Sequence, residues 1–137
     1  MPIINWKEDY SVGVKQLDEQ HQRLISLINK LFLLFNDKKF NQLDVEPIFR
    51  ELIKYADEHF GTEEYYFHLY DYEKKDEHIA LHNAYRQKVE DLKKSYEENN
   101  NAKTLFAINN FLNDWWKWHI NNVDKKYTNF FHANRIE

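Results

Sequence analysis

The chain has no cysteine. That excludes disulfide staples, thiolate metal ligands, iron–sulfur clusters and a thiol nucleophile, and it fits a reducing cytosol. Glycine and proline occur twice each, against average usage of roughly 7% and 5%. A many-stranded sheet needs turn residues at every reversal, so this scarcity points away from one and toward a few long helices with short connections. Long apolar runs are missing as well. The longest, Leu31-Phe32-Leu33-Leu34-Phe35, is far too short to span a bilayer. The opening Met1-Pro2-Ile3-Ile4-Asn5-Trp6 lacks the charged region and apolar core of a signal peptide. A soluble, unprocessed, cytoplasmic protein with no membrane partner is therefore expected. The formal net charge of −4 offers no basic footprint for nucleic acid. The paired lysines Lys38-Lys39, Lys93-Lys94 and Lys125-Lys126 have acids nearby and read as solvated helix faces.

What is present fits 137 residues folding as one all-α domain, long enough to bury a core without cross-links. Residues 1–16 show no clean helical period and read as an arm over the bundle, with Gly13 permitting a turn. A first helix is expected over about 17–36, its face carrying Leu17, His21, Leu24, Ile28, Leu31 and Phe35. A second, about 45–68, is expected to start from Asp44 as N-cap with Pro47 in its first turn. Its face reads Phe49, Leu52, Ala56, His59, Glu63 and Tyr66. Gly61 inside it costs helix propensity, which a close approach of another backbone or of the site would explain. A third helix, about 76–97, shows His78, Leu81, His82, Tyr85, Val89, Leu92 and Tyr96 on one face. A fourth, about 103–131, shows Leu105, Ile108, Leu112, Trp115 and His119. Short connections make successive helices antiparallel neighbours, an up-down-up-down four-helix bundle.

The chemistry lies in the histidines. His59 and Glu63, and again His78 and His82, stand at i and i+4, one above the other on a helix. His119 and Asp124 stand five apart, and His21 lies on the first helix. One histidine on an apolar stripe is ordinarily a hydrogen-bonded core residue. Five imidazoles and two carboxylates on the inward faces of four helices are different, because burying them together demands partners that a metal supplies directly. His68 and His132 fall outside the set and read as surface residues. Asp57, Glu58 and Glu64 flank it and read as solvent-facing.

Imidazole-rich ligands suit Zn, Cu, Fe or Ni rather than Mg or Ca. Seven ligands exceed the four that one zinc needs, so two metals fit better. Two octahedral irons offer twelve positions. Five imidazoles, two bridging carboxylates and one oxo or hydroxo bridge fill all but one, the room a diatomic ligand needs. Five residues of helix turn through about 500°, leaving His119 and Asp124 about 140° apart. Both can face one centre only if the helix ends or loosens, as in a π-type turn, near Ile120 to Val123.

The ordered set Trp6…Tyr10-Ser11-Val12-Gly13-Val14, Leu17-Asp18-Glu19-Gln20-His21, His59-x3-Glu63, His78-x3-His82 and His119-x4-Asp124 resembles the hemerythrins, and specifically single-domain bacterial hemerythrins, over nearly the whole chain. The resemblance implies two Fe ions, cycling between Fe2+ and Fe3+ with a bridging oxo or hydroxo group. His78, His82 and His119 would hold one iron, His21 and His59 the other, and Glu63 and Asp124 would bridge. It also implies O2 binding at the iron with fewer ligands, beside a wall of Leu24, Phe60, Trp115, Trp116 and Ile120. Trp116 and Trp118 cannot both face inward. The expected activity is reversible dioxygen binding for carriage, storage or delivery rather than catalysis, with any protein recipient undefined. A di-iron oxidase, peroxidase or nitric-oxide-handling enzyme, or an O2 or iron sensor, is the alternative.

Overall fold

A computed structural model describes residues 3–36 and 41–137, apart from the side chains of Phe35 and Gln42. The expected polar connection after Asn36 lies partly outside the described residues, as does the Phe35 side chain. Four long helices dominate: α1 Lys15–Asn36, α2 Gln42–Leu69, α3 Lys75–Glu98 and α4 Ala102–Asn122, followed by a short α5 Thr128–Ala133. No strand occurs among the described residues. Helix α1 packs on α2 and α4, and α3 packs on the same two, so the four close into a ring around one core.

The apolar stripes meet in that core. Leu17, Leu24, Ile28 and Leu31 of α1 are buried with Phe49, Leu52 and Ala56 of α2, Val89 of α3, and Leu105, Ile108 and Leu112 of α4. Burial of these stripes, worth about 25 cal/mol per Å² of apolar surface, is what holds helices with so many charged outer positions together. No described helix is long and apolar enough to cross a membrane.

Two boundaries differ from the sequence expectation. Helix α2 starts earlier, because Asn41 rather than Asp44 is the N-cap and accepts from the Leu43 amide at 2.8 Å. Pro47 consequently sits inside the helix instead of in its first turn. Helix α4 does not run to Phe131 but stops at Asn122. A tight 3-10 turn, Asp124–Tyr127, follows it, a narrowing of the chain where a π-type loosening was one expected solution.

The N-terminal arm is tied along its length, among other contacts by Lys125 Nζ donating to the Asp9 carbonyl. Asn29 holds the Ile4 backbone through two 2.9 Å bonds. Asp18 accepts from Ser11 Oγ at 2.6 Å and the Val12 amide at 2.8 Å. Thr128 Oγ1 donates to the Val12 carbonyl at 2.6 Å, and His132 Nε2 lies 2.7 Å from the Gly13 carbonyl. Gly13 turns the arm at φ +76°, and an added Cβ there would meet His132 and Thr128 at 3.0 Å. Gly61 has no such reason: a Cβ built on it meets nothing within 4 Å. The expected close approach is not there, since Gly61 faces solvent while Phe60 before it faces in.

Candidate metal centre

Helical periodicity brings six side chains inward at one level of the bundle: His21 from α1, His59 and Glu63 from α2, His78 and His82 from α3, and His119 from α4. The seventh, Asp124, comes from the 3-10 turn. Helix α4 ends with the Val123 amide bonded to His119 O at 2.8 Å, and the turn beyond it returns Asp124 to the core. His78 is 3% exposed and the other six are fully buried.

The seven form two overlapping groups. Glu63, His78, His82, His119 and Asp124 make one, and His21, His59, Glu63 and Asp124 the other, with the ligand atoms in each within 4.8 Å of one another. The two carboxylates are common to both. Asp124 divides its oxygens between them: Oδ1 lies 2.9 Å from His119 Nε2 and 3.0 Å from His78 Nε2, whereas Oδ2 lies 3.0 Å from His21 Nε2. Glu63 Oε1 lies 3.0 Å from His82 Nε2 and 3.5 Å from both His59 and His78 Nε2.

One close approach, between His21 Nε2 and His59 Nε2 at 3.1 Å, has hydrogen-bonding geometry; the approaches to the carboxylates do not. Both oxygens of Glu63 and of Asp124, and Nε2 of His78, His82 and His119, lack any partner in hydrogen-bonding geometry although buried. Lone pairs that converge without pointing along an N–H are what a cation between them requires. The donor set therefore fits a pair of metal ions, one per group.

A directional hydrogen-bond chain sets the tautomer of His59. Thr62 Oγ1 donates to the Glu58 carbonyl at 2.8 Å and accepts from Gln20 Nε2 at 3.2 Å. Gln20 Oε1, which can only accept, then receives the proton of His59 Nδ1 at 2.6 Å. The His59 Nε2 lone pair is left facing the centre. Glu64 departs from its expected solvent-facing role. It stands 4.0 Å from His82 Nδ1 and 3.3 Å from Arg86, because Arg86 of α3 crosses to α2 and draws it against the ring. Asp57 and Glu58 do face solvent.

Aromatic rings fix the imidazole planes. His82 stacks on Phe60 (3.8 Å, 8°), His119 on Trp115 (4.3 Å, 14°), His59 on Tyr55 (5.2 Å, 11°) and His78 on Tyr127 (5.7 Å, 18°). Of the expected wall, Leu24, Phe60, Trp116 and Ile120 are buried and Trp115 is half-buried. Trp116 points in and Trp118 out, 53% exposed. The Trp116 ring meets Tyr10 of the arm edge-on at 4.8 Å. Sequence reasoning missed Gln20, Tyr55 and Tyr127. Tyr55 lies one turn before His59 on the same face, a signal that was available. The Gln20 partnership depends on a neighbouring helix and had none.

Electrostatics follow the crowding. Burial drives His59 down to about 3 and lowers His82. Burial also opposes charge on His78, but the adjoining Asp124 and Glu63 carboxylates outweigh it and raise this imidazole to about 10. Burial pushes the Glu63 and Asp124 carboxyls upward, yet the surrounding imidazoles hold both well below the usual carboxylate range. Burial raises the Tyr55 and Tyr127 phenols well above their ordinary value, and the two carboxylates add to the effect.

Comparison with known proteins places residues 12–130 in a match to the hemerythrin HHE cation binding domain. Bacteriohemerythrin of Clostridium acetobutylicum is 30% identical over 124 residues, which is 89% of this chain and 96% of that protein. Bacteriohemerythrin of Pseudomonas aeruginosa is 24% identical, covering 93% of this chain and 80% of its own length. A hemerythrin-like protein of Naegleria gruberi is 28% identical over 90% of this chain and 89% of that protein. The crystal structure of a hemerythrin variant superposes with a TM-score of 0.80 at 26% identity, covering 93% of this chain and 96% of that one.

Proposed function

This chain belongs to the hemerythrin family, and from that premise we propose that it is a di-iron protein that binds dioxygen reversibly. The observation that carries the proposal is the pair of ligand groups sharing Glu63 and Asp124. His78, His82 and His119 would hold one iron, His21 and His59 the other, and the two carboxylates would bridge them. Iron bound there supplies two electrons and, on the side with only two imidazoles, a position for O2.

The chain's own residues do the rest. Gln20 holds His59 with its lone pair inward. Phe60, Trp115, Tyr55 and Tyr127 lie flat on four of the imidazoles and hold their planes. A redox enzyme at this site would need a ready proton donor. Tyr55 is the buried phenol beside His59, and its surroundings hold its proton more firmly than water would. That favours binding over turnover. The absence of thiols to oxidise suits a cytoplasmic O2-handling protein, for carriage, storage or delivery.

Adding O2 to the anaerobically reduced, iron-loaded protein tests the proposal. A long-lived coloured adduct that reverses under vacuum is expected. Immediate conversion to the diferric form with release of hydrogen peroxide would overturn it in favour of a redox enzyme.

A further inference from the structure

Between α2 and α3 a surface pocket of about 250 Å³ opens beside the centre, without belonging to it. Ile53, Ala56 and Val89 give it apolar walls and Tyr85 its inner end; Arg86 also lines it, 3.9 Å from the Asp57 carboxylate, and Asp57 and Glu90 stand exposed at its rim. Tyr85 is fully buried and packs against Trp115, ring centres 4.3 Å apart. Trp115 in turn lies flat on His119 at 4.3 Å and 14°. Two ring-to-ring contacts therefore join the pocket to a side chain of the centre.

Electron tunnelling weakens exponentially with the gap between groups, so rings in van der Waals contact make a short path. We propose that this pocket binds a small hydroquinone-type reductant and that the Tyr85 and Trp115 rings carry its electrons to His119 and the iron pair, returning oxidised protein to the ferrous state. The volume suits a single aromatic ring and is too small for a dinucleotide or a flavin. Apolar walls would take the faces of that ring, and the rim carboxylates would accept its hydroxyl hydrogen bonds.

The stoichiometry closes. Each hydroquinone gives one electron to one ferric iron and one proton to a rim carboxylate or to water, leaving a semiquinone. Two such events reduce both irons, and the two semiquinones disproportionate to one quinone and one hydroquinone. The Tyr85 hydroxyl, buried without a hydrogen-bond partner, has no base to take its proton, so the ring serves as a bridge and does not become a tyrosyl radical.

The inference rests on the di-iron reading but not on reversible oxygenation, and its test is separate from the O2 experiment. Diferric protein is mixed anaerobically with 1,4-hydroquinone, and the loss of ferric absorbance is followed by stopped flow. Binding of resorcinol, the isomer that is harder to oxidise, is measured in parallel by equilibrium dialysis on the same iron-loaded protein. Reduction should saturate with hydroquinone, and resorcinol should bind and compete. Ile53→Trp, or Glu90→Trp from the exposed rim should the first fail to fold, should abolish resorcinol binding and slow hydroquinone reduction at least tenfold, with dithionite reduction changed less than twofold. Trp115→Leu should slow the saturated rate tenfold with resorcinol affinity unchanged, and Tyr85→Phe, which keeps the ring, should retain the rate. A reduction linear in hydroquinone and indifferent to the pocket variants would overturn the binding site. Pocket variants that act while Trp115→Leu does not would overturn the relay. If reversible oxygenation fails while these effects hold, only the function proposed above falls.

Discussion

Gln20 exerts its influence through one acceptor atom. Its Oε1 decides which His59 nitrogen carries the proton, and so whether the other has a lone pair for a metal. Gln20→Leu is expected to weaken metal affinity on the order of 10–100-fold, the usual cost of losing such a partner. Gln20→Glu, still an acceptor, should keep most of it. A competition titration against a chelator reads both. Gly61 is the opposite kind of residue. An exposed glycine with nothing near its missing Cβ retains backbone freedom in the unfolded chain and returns nothing in the fold. Gly61→Ala should therefore raise unfolding stability by about 1 kcal/mol, measured by urea denaturation, with metal content unchanged.

Each long helix carries an apolar stripe with candidate ligands set into it, and α4 adds a terminus that places one more. Were α4 regular beyond Asn122, Asp124 would turn away from His119. The helix instead ends at that residue, and the 3-10 turn returns the carboxylate to the core, where its two oxygens face different imidazoles. One alanine inserted between Asn122 and Val123 would rotate the downstream residues, Asp124 among them, by about 100°. The expected result is a chain that stays helical by circular dichroism and binds fewer than two metal ions per molecule by elemental analysis. Retention of two would show that Asp124 is dispensable.

Across the whole bundle, the metal-free fold holds a charge problem whose pH dependence is set by the shifts. His59, driven by burial to about 3 from an ordinary 6.5, refuses a proton that the unfolded chain accepts, so stability falls as pH drops below 6.5. Glu63 and Asp124, held below their ordinary values, add stability that is present above those values and disappears on further acidification. His78, raised to about 10, contributes stability that is complete below 6.5 and is lost as pH rises through 10. The metal-free protein should thus be most stable near pH 6.5 and weaker at about pH 4 and pH 10. Bound metal takes over the role of the His78 proton, so loading should flatten the alkaline arm and leave the acid arm, where protons displace ligands. Urea melts at three pH values, with and without metal, check both arms.

The helices and most of the ligand spacing were legible in the chain because both are local. A stripe at 3.6-residue period and a pair at i and i+4 are properties of one helix, readable at His59 and Glu63 or at His78 and His82 without knowing what packs nearby. Contacts between elements were not. That Trp116 turns inward and Trp118 outward, that Glu64 is drawn to His82 by Arg86, that Gln20 meets His59, and that α4 stops in time for Asp124 to return all depend on the neighbouring helix, whose register no single stretch encodes. Local pattern chose the rods and the chemistry they carry. Packing chose which atoms of that chemistry face one another, because only close contact between helices fixes separations as short as a hydrogen bond or a metal–ligand bond.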